Sequence, residues 1–260
     1  MTLLHIGAFQ LDIDSHKNTV WHALAPRTRI LCVLLMVFAI VLTPNGHWWT
    51  WGIYGIAVIS LLFLTRITLP VLLKRIAVEL SFVSVVLLGT LFRDGGEVIW
   101  TWGFLRITTT GLTVLGSVTL KALLSLMMLN LLTLTTSVPA LLNGLLELRT
   151  PPLLVATIAS MYRYLGVLIG EFNAMRRAAA CRNLMTNRYW QRLVIGNTIG
   201  SLFIRTYDRG ERIHHAMLSR GYRGAFPVEK IPSAGRRDIV ALALTLIVML
   251  AGQSVYLFRQ

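Results

Sequence analysis

Five long apolar segments constrain the fold of this chain more than any other feature. They lie at about residues 28–43, 47–65, 76–92, 109–136 and 238–258. A bilayer core is about 30 Å thick, and about 20 apolar residues in a helix are needed to cross it. Only 14% of the residues are charged, whereas soluble domains carry roughly 25%. The sequence therefore predicts an all-α polytopic membrane protein with about five to six transmembrane helices and, in its polar part, two long cytoplasmic helices.

The first of the long cytoplasmic helices is predicted where a sixth apolar stretch, at residues 153–170, contains Arg163 and continues into Glu171 and a pair of arginines. Two interpretations stay open. The stretch is either a sixth span or the apolar part of a long helix that lies along the cytoplasmic face. A second long helix is predicted at about residues 190–220, where apolar residues are mixed with so many arginines that spanning is disfavoured.

Positive charge is concentrated in residues 171–237, which carry thirteen basic and four acidic residues, a net charge of +9 out of the chain's +14. The positive-inside rule places this region in the cytoplasm. Its position between apolar spans argues against nucleic acid as a partner. The loop at 93–107 is charge-balanced, so it is predicted on the outer face, as a short hairpin or interfacial loop.

The predicted organisation has three parts. Residues 1–136 form an N-terminal transmembrane region with four spans, including the loop at 93–107. Residues 137–236 form a cytoplasmic region with the two long helices, and residues 237–260 form a C-terminal transmembrane helix.

Both long helices are predicted to end in a short arginine motif. The two motifs are Cys181-Arg182-Asn183 and Ser219-Arg220-Gly221. Gly221 is suited to the left-handed conformation that terminates a helix, and Asn183 is a permitted substitute. An arginine at this place faces the negative end of the helix dipole and projects from the tip. Such tips either rest on anionic lipid or dock into a protein groove, where the planar guanidinium binds carboxylates or carbonyls.

A family resemblance favours docking. Residues 205–224 resemble the signature of the transmembrane T component of energy-coupling factor (ECF) transporters of the cobalt/nickel CbiQ type, and residues 22–31 resemble the segment that precedes the family's first span. The similarity extends over most of the chain. In this family, two coupling helices each end in an X-Arg-X motif, and each arginine docks on one of two cytoplasmic ATPase subunits. ATP-driven motion then passes to a separate substrate-binding membrane subunit.

The resemblance implies that Arg182 and Arg220 are the docking arginines. Ser219 and Gly221 fit the second motif, whereas the first departs from the family pattern at Cys181 and Asn183. The residues expected to support the interface are Arg176, Arg177, Arg209, Arg212 and Arg223 by charge, and Met175, Met217 and Leu218 by apolar contact. The implied function is that of a non-catalytic T subunit in the inner membrane of a prokaryote, for cobalt or alternatively nickel, with a small accessory membrane subunit as a further possible partner.

The sequence predicts no catalytic activity for this chain. None of its four lysines has glycine before it and serine or threonine after it, so no Walker A loop exists and ATP with Mg²⁺ is assigned to partner subunits. The sequence predicts no metal, cofactor or catalytic residues. Glu79 and Lys121 are the charged residues closest to mid-membrane. Either they are functional, or Glu79 lies near the cytoplasmic interface and Lys121 reaches an interface or pairs within the helix bundle. The rival functions are a self-contained permease, a membrane-bound enzyme and a passive membrane-surface scaffold.

Overall fold

The fold is helical, as predicted. A computed structural model describes residues 19–44, 46, 48–90, 98–102, 105–184, 187–224 and 235–257. Within these ranges, the helices are α1 (Pro26–Leu42), α2 (Trp48–Thr65), α3 (Leu69–Thr90), α4 (Thr109–Thr135), α5 (Val138–Glu147), α6 (Pro152–Cys181), α7 (Arg188–Ser219) and α8 (Arg236–Leu257). The two long helices predicted from the sequence are α6 and α7, and each of the predicted spans overlaps a helix within the described residues.

One two-stranded ribbon interrupts the helices. Strand β1 (Val98–Trp102) pairs antiparallel with β2 (Leu105–Thr108), with an irregularity in register between Val98 and Trp100. The ribbon lies in the loop where the sequence predicts a hairpin. The turn residues 93–97 of that loop lie outside the described residues.

The chain divides into two compact units. The first comprises residues 1–144 and 230–260, and the second comprises residues 145–229. In the first unit, α4 packs against α1, α2 and α3, and α8 packs against α1 and α2. Their shared core contains the fully buried side chains of Met36, Ile40, Tyr54, Val58, Met128, Leu131 and Leu134.

Arg29 joins three segments of the first unit at the start of α1. Its guanidinium donates to the carbonyl oxygens of His22 (2.6 Å), Leu24 (3.1 Å) and Thr135 (3.2 Å), and to the hydroxyl of Thr136 (3.3 Å). Thr135 and Thr136 stand at the end of α4, where helix carbonyls lack intrahelical partners. The buried cation therefore satisfies the end of α4 and fixes the turn that precedes α1.

Close helix contacts in the first unit depend on two glycines. A Cβ at Gly144 would lie 2.9 Å from Cδ1 of Ile30 and 3.1 Å from the backbone N of Arg27. A Cβ at Gly252 would lie 2.8 Å from Cε1 of Tyr54. Real Cβ atoms essentially never lie within 3.0 Å of such a heavy atom, so the absence of a side chain at these positions lets α5 reach α1 and α8 reach α2.

Three helices in the described part of the chain are long and apolar enough to cross a membrane, namely Gly111–Thr135, Pro152–Cys181 and Arg236–Ser254. Trp49–Thr65 is a shorter apolar helix. Large apolar side chains also cover the outside of the first unit; Phe82 is 83% exposed, Phe63 is 79% exposed and Ile56 is 71% exposed. An apolar exterior on apolar helices is typical of a protein that lies in lipid.

In the second unit, α6 packs against α7. Glu171 of α6 contacts Arg209 of α7, whereas Arg163 of α6 shares a groove with Ile213 and Arg220 of α7. Positions later in α6 thus meet positions earlier in α7, so the two helices run in opposite directions along each other. At about 1.5 Å per residue, the 30 residues of α6 are about 45 Å long.

Candidate docking site on the two long helices

The end of α6 is a Schellman motif. Arg182 is the C-cap residue, with φ −84° and ψ 9°, and Asn183 follows in the left-handed region with φ 55°. The backbone N–H of Asn183 donates to the carbonyl of Ala180 (3.0 Å), and that of Leu184 donates to the carbonyl of Ala179 (3.1 Å). These two bonds satisfy helix carbonyls that would otherwise be orphaned. Cys181, Arg182 and Asn183 are all exposed.

The end of α7 repeats this geometry. Arg220 is the C-cap residue, with φ −92° and ψ 10°, and Gly221 follows with φ 80°. The N–H of Gly221 donates to the carbonyl of Leu218 (2.9 Å), and that of Tyr222 donates to the carbonyl of Met217 (3.0 Å). The predicted left-handed conformations of Asn183 and Gly221 are therefore confirmed, and both arginines leave their helices at the same point of the same motif.

The two arginines are not brought together. Arg220 lines a groove with Arg163, and Arg182 lies nineteen residues beyond Arg163 along α6. That interval corresponds to about 28 Å of helix. The second unit therefore presents two exposed, similarly built arginine tips near opposite ends of one helix pair.

The residues predicted to support these tips differ in the solvent exposure of their side chains. Arg176 and Arg177 on α6 are exposed, as are Arg212 and Leu218 on α7 and Arg223 beyond its end, whereas Met175 and Met217 are half-buried. The Ser219 hydroxyl donates to the carbonyl of His215 (3.0 Å), one turn earlier. This bond holds the Ser219 side chain against its own helix, so it does not project beside Arg220.

Arg209 differs from the other predicted supporting arginines. Its guanidinium forms a short ion pair with Glu171 on α6, and both side chains are partly exposed. The charge of Arg209 is thus compensated within the second unit. Arg209 also stands eleven residues before Arg220, about 16 Å along the helix. Its contact joins α6 to α7, a role that the sequence did not indicate.

A half-open groove of about 510 Å³ lies between α6 and α7 beside the second tip. Its lining residues are Ala159, Ser160, Arg163 and Tyr164 from α6, and Ile213, Ala216, Met217 and Arg220 from α7. Sequence reasoning missed Arg163 as part of this surface. The available signal was an arginine inside an otherwise apolar stretch, but its neighbour on α7 lies more than fifty residues away along the chain.

The two charged residues near mid-membrane have partners inside the first unit. Asn130 on α4 donates through Nδ2 to the Glu79 carboxylate on α3 (2.7 Å). The ammonium of Lys121 lies 5.5 Å from the centroid of the Trp51 ring, within the range of a cation–π interaction. Both contacts join α4 to a neighbouring helix. No group of three or more His, Cys, Asp or Glu side chains that could hold a metal ion occurs among the residues with described positions.

Comparison with known proteins identifies the family. The family model described as CbiQ, "Cobalt transport protein", matches residues 17–233, which include both arginine tips and the groove. The chain belongs to this family. It is therefore a CbiQ-type transmembrane T component of ECF transporters, as its resemblance implied.

Curated relatives extend over nearly the same length. The energy-coupling factor transporter transmembrane protein EcfT of Lacticaseibacillus paracasei is 28% identical over 234 residues, covering 85% of this chain and 88% of the relative. The EcfT protein of Acidaminococcus fermentans is 27% identical over 253 residues, covering 90% of each. EcfT 1 of Listeria monocytogenes is 26% identical over 215 residues, covering 78% of this chain and 80% of the relative. The family model itself spans α1 to α7, which include the two long helices.

Proposed function

We propose that this chain is the energy-coupling T subunit of an ECF-type importer for cobalt, alternatively for nickel. In this role it transmits the motion of two cytoplasmic ATPase subunits to a separate substrate-binding membrane subunit. The observation that carries the proposal is the repeated construction of the two helix ends. Arg182 and Arg220 are exposed C-cap residues of identical hydrogen-bonding motifs, and they belong to one pair of packed helices.

The chemistry of these tips suits protein docking. An arginine at a C-cap extends away from its helix, so the N–H groups at the edges of its planar guanidinium are available to carboxylates and carbonyls of a partner. A spacing of about 28 Å along α6 places the tips too far apart for one small binding site. Two separate ATPase subunits, each engaging one tip, match this arrangement.

A packed helix pair also provides a physical route for coupling. The Arg209–Glu171 ion pair and the α6–α7 contacts make displacement of one tip act on the helix that carries the other. ATP and Mg²⁺ belong to the partner subunits in this proposal. The basic region faces the cytoplasm of a prokaryote, and the apolar helices cross its inner membrane.

Cobalt is proposed as the substrate because the matching family model carries that description. The EcfT names of the curated relatives mention no metal and therefore favour neither cobalt nor nickel. Nickel is the alternative substrate in this proposal. Metal capture is assigned to the substrate-binding subunit, and a small accessory membrane subunit is a further proposed partner. A self-contained permease is disfavoured because Glu79 and Lys121 are engaged by Asn130 and Trp51 inside the first unit.

Copurification in detergent tests the docking role. The complete complex would be expressed with Arg182→Glu, Arg220→Glu or both, and the ATPase retained per T subunit would be measured. We expect each single variant to weaken ATPase retention and the double variant to abolish it. Reversing a charge at a desolvated contact typically costs a few kcal/mol of binding, enough to empty the site at assay concentrations.

Arg192→Glu is the matched control, because Arg192 is an exposed arginine of α7 outside both tips. The control should retain both ATPases, and all variants should remain monodisperse and membrane-inserted. Equal losses in the control and the tip variants would favour a passive basic scaffold. Full retention by the double variant would contradict docking through these arginines.

A further inference from the structure

The groove beside Arg220 extends the second docking point to α6. We propose that Arg163 is a second docking arginine and that the groove between α6 and α7 receives an acidic side chain of the ATPase subunit bound at Arg220. This inference rests on the proposed function, since it names the chemistry of the partner at one of the two tips. It assigns a binding role to a residue outside both arginine motifs.

The position of Arg163 supports this role. It lies on α6, yet it lines the same groove as Arg220 at the end of α7. Its side chain is exposed. It also forms no ion pair with the acidic residues that the structure describes in the second unit. The fold therefore leaves this charge available to a partner.

The charge of the groove is uncompensated. Two guanidinium groups line it, and no carboxylate occurs among its lining residues. The acidic residue that follows on α6, Glu171, is eight residues beyond Arg163, about 12 Å along the helix. It is already engaged by Arg209. Two arginines around one space are complementary to a carboxylate, which accepts paired hydrogen bonds from a guanidinium fork.

The rest of the lining favours a protein segment as the occupant. Ile213, Met217 and two alanines give the groove an apolar wall, and the Tyr164 ring lies on the α6 side. Protein interfaces need such a desolvated centre next to their charged contacts. Because the groove begins at the Arg220 tip, a subunit seated on that tip would place an adjacent acidic residue into it. The second tip thus has two cationic contacts, one from each helix.

Quantitative binding of the purified ATPase pair to the T subunit in nanodiscs tests the inference. The variants are Arg163→Glu, Arg163→Lys and Arg220→Glu, with Arg192→Glu as the control. We expect Arg163→Glu to weaken ATPase binding about tenfold or more. Arg163→Lys should recover part of this loss, since it restores the charge without the fork. Thermal unfolding of each variant without the ATPases would verify that the helix pair remains folded.

The outcomes separate this inference from the docking proposal. If Arg220→Glu lowers the affinity while Arg163→Glu equals the control, docking through the tip stands and the role of Arg163 is overturned. If neither variant differs from the control, both proposals fail. A third result would also overturn the inference: Arg163→Glu keeps the ATPases but lowers the copurified phosphatidylglycerol, which would make the groove a lipid site.

Discussion

At the scale of single residues, the docking tips depend on the backbone conformation that follows each arginine. Gly221 has φ 80° and Asn183 has φ 55°, and both values lie in the left-handed region. Glycine adopts this region without strain, whereas a residue with a Cβ loses roughly 1 kcal/mol there. Asparagine is among the few other residues that tolerate it. The chain therefore builds the same motif from two different residues.

Gly221→Ala is expected to destabilise the end of α7 by about 1 kcal/mol. Gly210→Ala is the matched control, because Gly210 lies inside the same helix, and a Cβ there would meet nothing within 4 Å. That substitution should stabilise the protein by about 0.5–1 kcal/mol. Thermal unfolding in detergent would compare the two variants. Opposite signs are expected, and a stabilising effect at both positions would contradict a strained cap at Gly221.

Both tip conformations were predictable from the sequence, because a glycine or an asparagine after an arginine-bearing helix end is a local signal. The role of Arg163 was not. Its significance depends on α7 lying against α6, which places Arg220 beside a residue more than fifty positions earlier. The Arg209–Glu171 ion pair could not be predicted for the same reason, since nothing in the local sequence distinguishes Arg209 from its neighbouring arginines.

At the scale of elements, several polar links join helices, and two of them differ clearly in burial. One is the Arg29 cluster at the end of α4, and the other is the ion pair between α6 and α7. Such links differ in strength because burial differs. Arg29 is 8% exposed and has four hydrogen-bond acceptors, whereas the side chains of Arg209 and Glu171 are 37% and 26% exposed.

Arg29→Met should lower the free energy of unfolding by about 3 kcal/mol, since buried carbonyls lose hydrogen bonds from a charged donor. Arg29→Lys should recover little, because a single ammonium cannot reach the carbonyls of the turn and of α4 together. Thermal unfolding in detergent would measure both variants, with the exposed Arg192 replaced by methionine as the control. Full stability of Arg29→Met would contradict the stabilising role of the Arg29 cluster.

Weaker coupling is expected at the ion pair between the long helices. Glu171→Arg or Arg209→Glu alone should lower stability by about 1 kcal/mol or less, given the solvent exposure of the pair. The exchanged pair, with both substitutions, should recover most of the loss. A double-mutant cycle on thermal stability would measure this coupling. Additive losses in the double variant would show that the two side chains act independently.

At the scale of the whole molecule, composition alone indicated the membrane class, because long apolar segments exclude most soluble folds. Helix positions followed from the same pattern. The close approaches at Gly144 and Gly252 could not be predicted, since a glycine inside a helix gives no sign of which neighbour will pack against it. The bounds of the second compact unit, residues 145–229, also required the tertiary contacts.

The central claim is that ATPase motion moves the two long helices through their arginine tips. Spin labels at Ala174→Cys on α6 and His214→Cys on α7 would report the distance between the helices, since both positions are exposed and neither has an assigned role. The background would carry Cys181→Ser, which removes the exposed thiol and reproduces the Ser-Arg pair of the second tip. Cys32 is buried.

Double electron–electron resonance on the assembled complex would then compare the nucleotide-free and ATP-bound states. The account predicts that the 174–214 distance distribution changes on ATP binding and that Arg182→Glu with Arg220→Glu abolishes the change. Arg192→Glu should leave it intact. A distribution that does not respond to ATP in a complex with both ATPases bound, or a response that survives loss of both tip arginines, would contradict mechanical coupling through these helices.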